Sequence, residues 1–531
     1  MNSGIGVGAG QNRAGFPALS ISALAWHWPL VVVFLSFAVV GSLRSPIPGV
    51  NEPHYLCKAL HTFQPEWCAR DPFISSIDAH AVFLTAFGPL TAWLGFTGAA
   101  WLGRILVWLG LAWGWTRLIG LVSKHPEDAV RAAWLYLGIA ACGSYSGEWL
   151  IGGVESKGFA YVALFAAWRW AGDGAFLRAA LAGGIATSLH PVVGVWGLLC
   201  AVAGCLVAHD WRLSPVNGGF AESSVIFGQI LRRPLVPAAW FLSALPGLLP
   251  VLAMLAAPTE AGVKQAADQI QVFVRLGHHL NPFQFPWRAD ANAAVLIVIW
   301  LLFKRSWPAD SAARFLWGTV TAAACLATLG FLIATTGSAG LMKFYPFRLF
   351  DVCLPIGVAC GGTLLLRTQL AGRQWMALAI AFAAFGLAMA LPAVDRNPSR
   401  LDPQRLAAWK EMCRWVDQKL PPEALLVTPS YSYAFKWYAR RAEYFNYKDC
   451  PQDAAGIVAW QKRREWISAW RDRHYPRGYA APALQQLRHH TLAEYLVAST
   501  GVQLSETPLY SNTHFAVYRL PKTNGSGKAP F

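Results

Sequence analysis

The feature that most constrains this chain is the way its apolar residues are blocked. The runs 29–41, 235–256 and 374–393 contain no charged side chain. A helix needs roughly 20 apolar residues to cross the hydrocarbon core of a bilayer. Composition agrees, since 55% of the 531 residues are hydrophobic and 14% are charged, against about 25% charged in soluble domains. The 26 Trp suit the two interfaces of a membrane bundle, where an amphipathic ring is half wet. The fold class read from this is an all-α polytopic membrane bundle of about eleven transmembrane helices, followed by a small C-terminal α/β domain.

Hydropathy places spans near 22–43, 98–122, 130–146, 157–172, 175–189, 191–208, 235–256, 291–306, 313–336, 347–366 and 374–394. The apolar segment 79–96 holds Gly88 and Pro89 between polar flanks, and is read as an arm that dips into the membrane without crossing. With the N-terminus inside, the inside loops carry Lys124 and Arg131; Arg178; Arg212, Arg232 and Arg233; Lys304, Arg305 and Arg314; Arg367 and Arg373. That is a positive-inside ladder. The polar segments 44–79, 146–156, 257–290 and 337–347 then gather outside. The expected organisation is a cytoplasmic tail 1–21, a bundle 22–394 with a first outside loop 44–97, an extracytoplasmic domain 395–522 and a loose tail 523–531. The first apolar run reads as a retained helix, because no small-residue cleavage site follows it.

Residues 395–531 hold 20 Lys and Arg against 12 Asp and Glu, a net +8. Helical periodicity fits 402–419, 452–474 and 481–499, and β-prone stretches fall at 424–427, 443–447 and 515–519. The whole chain carries +16, but the basic residues are spread over many loops, so no nucleic acid is expected as a partner. Cys57 and Cys68 share the first outside loop, and Cys413 and Cys450 share the C-terminal domain. Two disulfides or two pairs of free thiols both fit that arrangement.

Chemistry is concentrated in the outside segments. Glu52 lies just past the first span, with Asp71 and Asp78 further along the same loop. A carboxylate at the water–membrane boundary is partly desolvated, which raises its basicity and suits it to take a proton from an acceptor hydroxyl. The string Asn51-Glu52-Pro53-His54-Tyr55 resembles the start of the first outside loop in the GT-C glycosyltransferases. The likeness is strongest to the lipid A aminoarabinose and protein mannosyl transferases. Those begin the loop with an acidic pair or an Asn/Asp-Glu, then a small residue or Pro, a basic residue and Tyr; here His54 stands where Arg is commoner. The stretch from His80 to Arg104 resembles the interface helices that follow in that family. Ser144-Tyr-Ser-Gly-Glu148-Trp149 and Glu155-Ser-Lys157 resemble its acidic outside loop after the third span. The strings Lys343-Phe-Tyr-Pro-Phe-Arg348 and Pro451-Gln-Asp-Ala-Ala455 are similar to those of a bacterial family, a likeness that adds no activity.

The resemblance implies a bacterial inner-membrane enzyme of the cell envelope. It would move a sugar from a polyprenyl-phosphate donor, with its site and its C-terminal domain on the extracytoplasmic side. Its partners would be the lipid-linked donor and membrane lipids. Glu52 is then the candidate base, with Asp71 and Asp78 as alternatives. His54, Tyr55, His80, Glu148, Glu155 and Lys157 are candidate substrate contacts. Arg275, His278, His279, Lys343 and Arg348 place cations at outside helix ends, where Arg can clamp a phosphate through two parallel hydrogen bonds. For Lys343 the plainer reading is a side chain reaching to headgroups. Glu155 can equally cap the helix that follows it, and His190-Pro191 reads as a kink. No spacing matches a structural zinc site. No motif demands a cofactor, although Glu52, Asp71 and Asp78 suit a divalent ion such as Mg or Mn beside a donor phosphate. A lipid or solute transporter or flippase, and a GT-C-like protein without activity, are the competing readings; spans 313–336 and 374–394 carry almost none of the polar path a transporter needs.

Overall fold

A computed structural model describes residues 27–210, 234–392, 397–475 and 478–522. The expected tails 1–21 and 523–531, and the loop residues Arg212, Arg232 and Arg233, lie outside the described residues. The helices used below are α1 (His27–Arg44), α2 (Glu52–Phe63), α3 (Ala81–Ile119), α4 (Pro126–Ala141), α5 (Ser156–Gly172), α6 (Phe176–Leu189), α7 (Pro191–Asp210) and α8 (Leu235–Ala256). They continue with α9 (Ala261–Gln269), α10 (Trp287–Leu302), α11 (Ser311–Thr335), α12 (Phe350–Gln369), α13 (Gln374–Ala390), α14 (Pro403–Lys419), α15 (Ala454–His474) and α16 (Ala481–Thr491).

A helix stands at each expected span, and six of them are long and apolar enough to cross a membrane: α1, α3, α7, α8, α11 and α12. Their outward faces explain the composition. On α8, Leu242 is 66% exposed and Leu252 54% exposed, a surface that water would penalise and lipid solvates. Helix α3 is 39 residues long, about 58 Å at 1.5 Å per residue, nearly twice the ~30 Å core. It does not run straight. Gly95 adopts φ 68°, ψ 170°, a conformation essentially reserved for glycine, and separates an arm, 81–94, from the span proper. That break falls at the end of the segment expected not to cross.

One end of the bundle is tied by charge: Arg367 of α12 meets Glu127 and Asp128 at the start of α4, at 3.1 and 3.3 Å. The opposite end carries the first loop and the C-terminal domain. That domain holds a five-stranded sheet in the order β2 (Ala442–Glu443), β1 (Leu425–Val427), β3 (Tyr495–Ser499), β5 (Phe515–Arg519), β4 (Tyr510–Ser511). β1 runs parallel to β2 and β3, and β5 antiparallel to β3 and β4. Side chains alternate between two faces, as strand geometry requires. Leu426, Val497 and Val517 pack on Trp409 and Met412 of α14. Leu425, Val427 and Leu496 face Trp470 of α15 and Leu487 of α16.

That second layer is continuous with Leu56 of α2, with Phe73 of the loop that follows it and with Phe83 of the arm, so the domain is seated on the first loop by a shared core. The helix expected over 481–499 is shorter: it ends at Thr491, where Leu492 turns left-handed at φ 56°, and Tyr495–Ser499 pairs along both edges as a strand. The β-prone Tyr-Leu-Val wins there because the sheet buries it on both faces. All ten cysteines are free, so the two suggested disulfides are not made; Cys57 and Cys68 are packed as apolar side chains in the shared core.

Candidate active site at the domain end of the bundle

Glu52 opens α2 with Pro53 at the first helical turn, and it is fully buried. Its carboxylate accepts from the Gly49 amide at 2.6 Å, the Val154 amide at 2.9 Å, and Arg104 Nε and Nη2 at 2.6 and 2.8 Å. Arg104 is itself buried and also donates to the Ser45 carbonyl at 2.6 Å. A carboxylate has about four acceptor positions, and here each is occupied. The expected base is thus a brace that fixes the loop entrance to α3 and to the segment before α5. It offers no free lone pair to an acceptor.

The other two expected carboxylates are also neutralised, each by its own cation. Asp71 accepts from the Phe73, Ile74 and Glu443 amides and pairs with Lys436 at 3.0 Å. Asp78 pairs with Lys58 at 3.3 Å and His80 Nδ1 at 2.8 Å, and these charges hold its carboxyl well below the usual range despite burial. The three do not gather round one ion, and among the described residues no group of three His, Cys, Asp or Glu is placed to hold a metal. A Mg or Mn ion held by these three carboxylates, the alternative their residue types left open, does not fit this arrangement. Lys436 of the C-terminal domain also meets Asp449 at 2.6 Å, and Asp449 accepts from His54 Nδ1 at 2.9 Å. These residues bolt the domain to the loop.

What the structure does bring together begins at Asn51. Its side-chain amide donates to Glu155 Oε1 at 2.9 Å. Glu155 and Glu148 share Lys157, at 3.5 and 3.4 Å. Glu148 Oε2 lies 3.3 Å from Arg348 Nε, and Arg348 Nη1 donates to His190 Nε2 at 2.8 Å. His190 packs on His80, whose ring faces Tyr55. Burial, with Glu155 and then Asp78 beside it, keeps the Tyr55 phenol protonated. Among the buried polar atoms of this group, Tyr161 Oη has no hydrogen-bond partner, Glu148 Oε1 has only the 3.4 Å ion pair with Lys157, and Arg348 Nε has only the 3.3 Å one with Glu148. Unsatisfied buried polar atoms each cost about 1–3 kcal/mol, so a cluster of them marks a place where a ligand completes the bonding.

Two residues hold Glu148 in position. Asp351 accepts from the amides of Tyr145, Ser146 and Glu148 and from Ser146 Oγ, at 2.5–3.1 Å. His279 Nδ1 donates to the Ser146 carbonyl, and its ring occupies the space a side chain would need at Gly147, which sits at φ 78°. Asp351 escaped the sequence reading, although a carboxylate at the start of a span is itself a signal.

The cations divide. Lys343 pairs with Asp268 at 2.8 and 3.0 Å and does not join the group. His278 is exposed, its ring tilted against that of His279 with centroids 4.0 Å apart. Arg275 closes a π-helical turn, Ile270–Arg275, and donates through Nη2 to the Lys448 carbonyl at 2.7 Å. Arg348 lies 4.1 Å from the Tyr345 ring, and the charges of both Arg348 and Arg275 act on the Tyr345 phenol. Tyr345 has φ 56°, a left-handed strain of roughly 1–2 kcal/mol that such sites tolerate. Lys448, carried in from the C-terminal domain, went unnoticed in the sequence.

Comparisons with known proteins place the fold. The crystal structure of ArnT from Cupriavidus metallidurans bound to undecaprenyl phosphate aligns over 96% of this chain and 100% of that one, with TM-score 0.51 and 13% identity. The apo form of the same enzyme aligns over 94% and 98%, with TM-score 0.38 and 14% identity. The cryo-EM structure of the arabinofuranosyltransferase AftD from mycobacteria aligns over 94% of this chain and 40% of that one, with TM-score 0.42 and 14% identity. A family model described as a domain of unknown function, DUF6798, matches residues 407–467, from within α14 to within α15. No curated protein matches the sequence.

Proposed function

We propose that this chain, which has the GT-C fold, is a membrane glycosyltransferase that moves a sugar from a polyprenyl-phosphate donor to an acceptor outside a bacterial inner membrane. On this reading all eleven apolar helices cross, the N-terminus is cytoplasmic, the arm 81–94 lies at the outer surface, and the C-terminal domain is extracytoplasmic. The observation that carries the proposal is the buried Glu148–Arg348 pair, in which Glu148 Oε1 and Arg348 Nε have ion-pair neighbours at 3.4 and 3.3 Å but make no hydrogen bond. A base and a phosphate ligand stand side by side, and each has bonding capacity left for a substrate.

Glu148 takes the proton of the acceptor hydroxyl through Oε1. The acceptor oxygen bonds the anomeric carbon, the bond from that carbon to the phosphate oxygen breaks, and its electron pair leaves with the lipid phosphate. Arg348, partly desolvated, stabilises the charge that grows on that phosphate. Glu155, held by Asn51 and Lys157, keeps Lys157 beside Glu148. Glu52 serves as the brace beneath this arrangement and not as the base.

The test uses the purified protein in lipid nanodiscs with radiolabelled undecaprenyl-phosphate sugars and envelope extract as acceptor. Transfer of label with release of undecaprenyl phosphate supports the reading. Passage of the intact lipid-linked sugar across proteoliposomes without release would replace it with a flippase.

A further inference from the structure

The charges at the domain end do not balance locally. Lys157 is shared by two carboxylates and Arg348 faces Glu148. Arg275 and Lys448 differ: among the described residues neither has a carboxylate within ion-pair reach, and the Lys448 ammonium has no hydrogen-bond partner. They are nonetheless neighbours, joined by the 2.7 Å bond from Arg275 Nη2 to the Lys448 carbonyl. Arg275 is 8% exposed, and its Nε is buried without a partner.

The loop that carries Lys448 is built to stay in place. The Lys448 amide donates to Asn446 Oδ1, Trp460 Nε1 donates to the Asn446 carbonyl, and the Tyr447 hydroxyl donates to the Val274 carbonyl. The Arg275 guanidinium lies over the Tyr447 ring at 5.1 Å. Two cationic residues are thus held side by side, partly out of water, and neither is ion-paired among the described residues. The Lys448 charge also acts on Glu155, Lys157, His54, His278 and His279, residues of the site described above or beside it.

We infer that Lys448 and Arg275 form an oxyanion subsite roofed by the C-terminal domain, and that it takes a phosphate group, a diester in a lipid-linked sugar donor and a monoester dianion once the sugar has left. The inference rests on the glycosyltransferase reading for the identity of that phosphate, the donor lipid's, but its geometry stands apart from it. The domain then supplies part of the donor site in addition to covering it. Burial, and Arg275 next, bring the Lys448 ammonium down to about 8, so it is charged at neutral pH and loses its proton just above. A bound dianion favours the charged form, and binding therefore takes up a proton near pH 8.

The experiment titrates the full-length protein in nanodiscs with undecaprenyl phosphate, undecaprenol and inorganic phosphate, at pH 7 and pH 9. Wild type is expected to bind undecaprenyl phosphate but not undecaprenol, with weaker binding at pH 9. Lys448→Gln should weaken it roughly 10- to 100-fold at pH 7, the loss expected for a charge-assisted bond. Lys448→Arg should restore binding and remove the fall at pH 9, which also shows that the fold survives. Equal binding by wild type and Lys448→Gln, with the same pH response, overturns the subsite while leaving the donor reading intact. Lys448-dependent binding of inorganic phosphate with none of the lipid would keep the subsite and remove the lipid donor. No binding of either phosphate by wild type overturns both.

Discussion

Replacing Glu52 by Gln is the substitution that separates a brace from a base. The side chain keeps its size, but one carboxylate oxygen becomes an amide NH2. Glu52 Oε1 accepts from Arg104 Nε and Val154, and Oε2 from Arg104 Nη2 and Gly49. Whichever way the amide settles, its NH2 faces two donors, and Arg104 is left as an uncompensated cation with no exposure. Breaking one side of a buried pair costs about 3–5 kcal/mol, a large share of the 5–15 kcal/mol typical of a folded domain. The measurement is thermal survival of the monodisperse peak by fluorescence-detected size exclusion in detergent. Glu52→Gln is expected to lower the survival temperature clearly and to reduce the yield of folded protein. Adding Arg104→Met removes the stranded charge and should recover part of that loss, a positive coupling between the two sites. A Glu52→Gln protein that survives heat like wild type but no longer transfers sugar would refute the reasoning and return Glu52 to the role of base.

Further expectations follow from the same geometry. Glu148→Gln should lower turnover by roughly 10²- to 10⁴-fold, the range for loss of a general base. Donor affinity in that variant, measured by lipid-phosphate titration, should hold or improve because a carboxylate beside Arg348 has gone. Arg348→Lys keeps the charge but loses the planar fork, so it should impair turnover less than Arg348→Ala does in the same transfer assay. Ser511 is exposed on the edge strand of the C-terminal domain; a cysteine there should react with a membrane-impermeant thiol reagent in cells whose outer barrier alone is permeabilised. Labelling only after lysis would reverse the orientation on which the extracytoplasmic site depends.

The bundle was legible because a bilayer leaves a chain few options. With no water to satisfy backbone groups, each long apolar run must close its own hydrogen bonds as a helix, so runs such as 235–256 can be read directly. Gly88, Pro89 and the polar flanks set 79–96 apart from the span that follows, but the residue at which the helix breaks, Gly95, was not marked by them. Tyr495–Ser499 was not legible either, because a short apolar stretch fits either period until its partners Leu426 and Val517 are known. The polar strings of the segments read as outside lie at the domain end of the molecule, and Glu148, Glu155, Lys157 and Arg348 meet there. Which carboxylate is already saturated depends on contacts far along the chain, Arg104 for Glu52 and Lys436 for Asp71. No local pattern encodes those pairings. Lys448 stayed hidden for the same reason: in sequence it is an ordinary Lys of a basic domain, and only the docking of that domain on α2 and the π-helical turn brings it to the site.

The central claim is that the domain end of the bundle holds a lipid phosphate beside a carboxylate, Glu148, with hydrogen-bonding capacity left to act as base. A cryo-EM structure of the full chain with undecaprenyl phosphate bound tests it most directly. The predicted result is a phosphate in contact with Arg348 and flanked by Arg275 and Lys448, with Glu148 Oε1 facing the position of the bond to the sugar. Lipid density confined to the outer surface of α8 or α13, with the Glu148–Arg348 pair empty and unmoved, would contradict it.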